Sequence, residues 1–87
     1  MKAVITVIGT DSVGILAGVS AACAGRRANI LEVTQSVLDG YFCMVMVVQM
    51  DESANGISLL QRDIQAAVPD MVIHVMHEDI FNSMHRI

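Results

Sequence analysis

Tryptophan is absent from these 87 residues, tyrosine and proline occur once each, and five lysines and arginines stand against nine acidic residues. Each shortage excludes something. A sheet that reads RNA needs exposed aromatic rings among cations, and Tyr41 and Phe42 sit together at a turn with few cations near them. The net charge of −4 repels phosphate backbones, so no nucleic-acid partner is expected. The two cysteines, Cys23 and Cys43, are far apart in apolar stretches, which suits reduced thiols and not a disulfide framework. No uninterrupted apolar run approaches the roughly 20 residues that cross a bilayer. The N-terminal run meets Asp11 before it could serve as a signal peptide. A cytoplasmic protein with no membrane partner is the expectation.

What is abundant is apolar surface. Hydrophobic residues make up 54% of the chain, which is high for a domain that buries only about two-thirds of its unfolded surface. Residues 1–87 are expected to form a single domain. Some of its apolar surface is left for another copy, so a homo-oligomer, at least a dimer, is expected.

The stretch "KAVITVI" (2–8) is β-branched and too short for a helix, so it reads as a strand. From Ser12 the residues Ile15, Leu16, Val19, Ala22 and Cys23 recur on one helical face, with Asp11 or Ser12 placed to cap the first amides. That helix should end near Gly25, with Arg26 and Arg27 complementing its negative end. "NILEVTQSVL" and "YFCMVMVVQM" flank Asp39-Gly40, a strong signal for a two-residue hairpin. After the loop "DESANG", Ile57, Leu60, Ile64, Ala67 and Val68 mark a second amphipathic helix that stops before Pro69-Asp70, and "MVIHVMH" is a last strand. The order βαββαβ implies an α+β fold, the ferredoxin-like sandwich: a four-stranded antiparallel sheet with two helices on one face.

A tight turn at 39 and 40 pairs Leu31 with Val48, Val33 with Met46, Gln35 with Met44, and Val37 with Phe42. This side is apolar and should meet the helices. The other side pairs Ile30 with Gln49, Glu32 with Val47, Thr34 with Val45, and Ser36 with Cys43, leaving Val45 and Val47 in need of cover. In the tail, Ile80, Met84 and Ile87 fall at helical spacing behind Asp79, which stands where an N-cap would. A short C-terminal helix over 79–86 is expected, docked on the domain or on a partner subunit with His85 and Arg86 near its negative end.

"GTDSVG" (9–14) joins the first strand to the first helix. Gly9 lets the chain leave the strand sharply, and Gly14, without a Cβ, lets a ligand or a neighbouring segment approach the first helical turn. Unpaired amides there can accept a carboxylate, while Asp11 can take an ammonium group or cap the helix. Those are complementary halves of an amino acid. The spacing alone equally describes a capped tight turn with no ligand.

"VITVIGTDSVGILAGVSAACAGRRANI", followed by the alternating strand and hairpin, resembles the opening half of an ACT domain, the small regulatory module attached to many amino-acid biosynthetic enzymes. The resemblance spans about residues 2 to 77 and is most specific at Gly9-x-Asp11-x-x-Gly14-Ile15 and at Asn29-Ile30. It implies a small amino acid or related metabolite held at an oligomer interface by Gly9, Thr10, Asp11, Ser12, Val13 and Gly14 on one side and Asn29 and Ile30 on the other. Asp11 and Asn29 are its implied side-chain contacts. Val13 departs from the proline often found before the second glycine of such loops. The tail "HEDIFNSMHRI" resembles that of small free-standing ACT proteins of unassigned function.

Other chemistries fit less well. A metal site would enlist His74, His77, Glu78, Asp79 and His85, yet on one strand His74 and His77 point to opposite faces. Copper-carrying domains of this architecture hold paired cysteines in the first loop, where this chain has Asp11. A phosphatase of this fold needs an arginine near residues 9–14, and none is there. The three histidines fall in the last strand and tail without a nucleophile. The expectation is therefore a non-catalytic sensor without cofactor or metal, which passes its signal to an unknown protein partner. The alternatives are a structural or protein-interaction module of the same fold and, behind it, a metal-binding domain.

Overall fold

The computed structural model describes residues 1–53 and 55–84. Its elements are β1 (Lys2–Thr10), α1 (Ile15–Gly25), β2 (Asn29–Leu38), β3 (Tyr41–Gln49), α2 (Gly56–Ala67), β4 (Val72–His77) and α3 (Glu78–Met84). The strands form one antiparallel sheet in the order β2-β3-β1-β4. This is the ferredoxin-like arrangement expected from the sequence, with a short third helix.

Alternation decides which side chains are inside. Ala3, Ile5 and Val7 of β1, Met44, Met46 and Val48 of β3, and Ile73 and Val75 of β4 project to one face and are buried. They meet Ile15, Val19 and Cys23 of α1 and Leu60 and Ile64 of α2 in one apolar cluster. Burial pushes the Cys23 thiol above its ordinary pKa, as befits an inert core cysteine. The helices are clipped together by Arg26, whose Nε donates to Oδ2 of Asp63. That hydrogen bond holds the Asp63 carboxyl below the usual carboxylate range.

The hairpin turns at Asp39 (φ 51°) and Gly40 (φ 81°), two left-handed residues as a type I′ turn requires. Six of the eight expected cross-strand pairs form, from Glu32 with Val47 to Val37 with Phe42. The other two do not. A bulge between Ile30 and Glu32 shifts the register, so that Ile30 faces Val48 and Asn29 faces Gln49, with Leu31 as the extra residue. Nor do the helices cover Val33 and Val37, both exposed although they lie on the helix-facing side. The helix pair is displaced toward β4, where Gln61 Oε1 accepts from the Val75 amide at 2.9 Å and Gln65 Nε2 donates to the Met71 carbonyl at 2.8 Å.

The capping of α1 differs from expectation. Neither Asp11 nor Ser12 caps it; the N-cap is Gly14, with no side-chain bond to the first turn. The helix ends at Gly25, as expected, and the chain leaves it through Arg27. Arg27 is left-handed (φ 58°), and the amides of Arg27 and Ala28 return to the carbonyls of Ala24 and Cys23. Arg26 is drawn to Asp63 instead of to the helix end. In the tail, α3 begins at Glu78, so Asp79 is inside the helix and not its cap, and its amide donates to Nδ1 of His77. The part of that expectation resting on His85, Arg86 and Ile87 lies outside the described residues.

Candidate functional site

Gly9 does not turn the chain: β1 continues through Thr10. Its role is close approach. A Cβ at Gly9 would lie 2.8 Å from Sδ of Met71 and 3.4 Å from the Asp70 carbonyl oxygen, so glycine lets the segment before β4 press against the end of β1. Beyond Thr10 the loop is held once, by the Asp11 amide donating to the Gly40 carbonyl at 2.9 Å. Asp11, Ser12 and Val13 are exposed. Gly14 then takes φ +88°, with open space where a Cβ would stand. The turn is therefore accessible from outside, as the sequence implied.

The first amides of a helix have no intrahelical partner. In α1 no side chain satisfies them, and they border a cavity of about 170 Å³ lined by Ser12, Val13, Gly14 and Ile15 on one side and by Val68, Pro69, Asp70 and Met71 on the other. The second wall is the C-terminal end of α2, which ends at Ala67, and the turn that follows it. A helix N-terminus carries partial positive charge and a C-terminus partial negative charge, roughly half an elementary charge each. The cavity thus lies between two helix ends of opposite sign. Its volume equals that of about five or six waters, the scale of a small amino acid.

Residues 68–71 escape a reading confined to the loop motif, because Pro69-Asp70 signals only the end of a helix. The topology supplies what is missing: Ile8 pairs with Val72, so the exit of β1 and the entry to β4 share one end of the sheet.

Asn29 and Ile30 are not brought to this place within one chain. Asn29 faces Gln49, which faces Lys2, at the far end of β1 from Thr10. Ile30 is partly buried against the core. The histidines of the metal alternative also separate: His74 lies in the row of Thr6 and Val45, whereas His77 pairs with Ala3 on the helix-covered face. Among the described residues no three His, Cys, Asp or Glu side chains gather as metal ligands. Nor is any helix among them long and apolar enough to cross a membrane.

A small antiparallel sheet backed by two helices, with a strand-to-helix turn open to small molecules, matches known proteins along nearly its whole length. The model of the ACT domain family matches residues 2–77. The chain is 46% identical over 89 residues to a UPF0237 protein of Clostridium perfringens, each covering all of the other. Among solved structures it is similar to an ACT domain protein from Streptococcus pneumoniae, with a TM-score of 0.78 and 39% identity over 98% of both chains. A formyltetrahydrofolate deformylase of Pseudomonas putida shares the fold at 13% identity, with a TM-score of 0.69 over 88% of this chain and 29% of that one. The chain belongs to the ACT domain family and, within it, to the UPF0237 group.

Proposed function

We propose that the protein is a non-catalytic sensor that binds a small amino acid, or a metabolite with the same two charged ends, between the first turn of α1 and the turn at 68–71. The observation that carries this reading is the pairing of opposite helix ends across a small cavity. A carboxylate suits the uncapped amides of α1. An ammonium group suits the carbonyl end of α2, with Asp70 or Asp11 as its counter-ion. Membership of the ACT family, whose modules commonly bind small molecules and oligomerise, agrees with it.

A contribution from Asn29 and Ile30 would come from a second copy. Two copies paired antiparallel along their β2 edges place the start of one β2 beside the hairpin turn of the other, and that turn holds Asp11 through Gly40. The edges of the sheet favour β2 for this. The amide of Val75 on β4 and the carbonyl of Met71 just before it are already occupied by Gln61 and Gln65, and β2 is exposed along almost its whole length.

A thermal-shift screen of the proteinogenic amino acids tests the reading. A ligand present at 100 times its Kd stabilises the fold by about 2.7 kcal/mol. Calorimetry should then show that Asp11→Ala, Asp70→Ala and Asn29→Ala each weaken binding more than they lower stability. A screen in which no amino acid raises the melting temperature would favour the other reading, a structural or interaction module without ligand.

A further inference from the structure

The sheet has a second face, which α1 and α2 do not touch. Its middle row runs Thr34, Val45, Thr6, His74 across the four strands. Helix α3 folds back onto this face and packs mainly against β1 and β4. Under it Val4 is only 2% exposed, while Ile8 stays 49% and Val45 37% exposed. Ile80 and Met84 of α3 remain 55% and 64% exposed on a cleft of about 590 Å³ between helix and sheet.

The relief of this face is a step. One half carries a helix about 10 Å across; over β2 and β3 the other half carries no element among the described residues. Among the described residues the acidic groups and Lys2 lie at the margins, with Glu32 on the edge strand, Lys2 at the end of β1 and Glu78 and Asp79 at the start of α3, around a centre of threonine, valine and histidine. An interface centre is likewise poor in acidic and basic side chains, with the charged ones at its rim.

We propose that a second copy of this chain stacks on the face about a two-fold axis running along the strands, each α3 filling the bare half of the other sheet. A step of this kind is complementary to itself under such a rotation, as a two-fold interface must be. The two helices then lie side by side in one layer between the sheets, and Val45 of each copy meets Ile80 and Met84 of the other. The size is sufficient. Four strands about 4.8 Å apart and nine residues rising about 3.4 Å each give a sheet face on the order of 600 Å². With the flanks of α3 added, this approaches the roughly 800 Å² per partner of a stable interface. Stacking leaves the outer edge of β2 uncovered, and it requires no ligand.

Sedimentation of Val45→Lys and Met84→Glu without added amino acids tests the stacking separately from ligand binding. Both positions are exposed enough in one copy for the fold to tolerate a charge, which circular dichroism will verify. Thr34→Lys, exposed in the same row, substitutes if Val45→Lys fails to fold. Each single variant is expected to halve the mass of the wild-type assembly at micromolar concentration. An equimolar mixture of the Val45→Lys and Met84→Glu proteins, or of the Thr34→Lys and Met84→Glu proteins if the substitute is needed, should restore the mass, because the new ammonium faces the new carboxylate. A wild-type monomer, variants that assemble like the wild type, or a loss that mixing does not restore would each overturn the proposal.

Discussion

At Gly14 the backbone turns through a left-handed conformation that side chains rarely adopt, and nothing crowds the place where a Cβ would be. A substitution there isolates the cost of the conformation. Gly14→Ala is expected to destabilise the protein by about 1–2 kcal/mol. Gly25 provides the control: it ends α1 with open space around it and no positive φ. Gly25→Ala should be neutral or stabilise by up to about 1 kcal/mol, because alanine loses less backbone freedom in a helix. Urea denaturation of the two variants checks both signs. Equal effects would show that the turn places no special demand on residue 14.

Among the elements, the two edge strands are managed differently. Edge strands present unpaired amides and carbonyls that invite another chain. At β4 and the residue before it the side chains of Gln61 and Gln65 occupy such groups from α2, while β2 beyond Ile30 is exposed along its length. Gln61→Ala is expected to cost about 1 kcal/mol through the Val75 amide. Gln61→Glu, which keeps an acceptor oxygen in reach, should retain most of that stability. Chemical denaturation distinguishes the two, and an alanine variant as stable as the wild type would show that water replaces the glutamine without loss. The glutamines also explain why β2 is exposed: by tying α2 over β4 they hold the helix pair away from the hairpin.

In the whole molecule, α3 completes a face that the βαββαβ unit leaves open. Removing residues 80–87 uncovers Val4, and burying a valine stabilises by about 1.5–3 kcal/mol. In a domain of this size about 1 kcal/mol corresponds to roughly 4–8 °C in melting temperature. The truncated chain is therefore expected to melt at least about 5 °C lower, as scanning calorimetry will show. An unchanged melt would mean that α3 contributes no net burial.

Periodicity and turn chemistry are local, so the sequence by itself determined the elements, their order and the tight hairpin. Alternating β-branched residues make β1, residues recurring every three or four positions make α1 and α2, and Asp39-Gly40 adopts the two left-handed conformations that a short hairpin requires. The ACT family was also legible, because its residues lie in one continuous stretch around Gly9, Asp11 and Gly14. Three things depended on contacts distant in sequence. Whether Asp11 or Ser12 caps α1 was decided by the path of the loop, which the Gly40 carbonyl draws toward the hairpin. Whether Val33 and Val37 are covered was decided by where the helices settle, since alternation assigns a residue to a face but does not say how far a helix reaches. What lines the cavity was decided by the pairing of β1 with β4, which sets Asp70 and Met71 beside Gly9 and leaves Asn29 at the other end of the sheet.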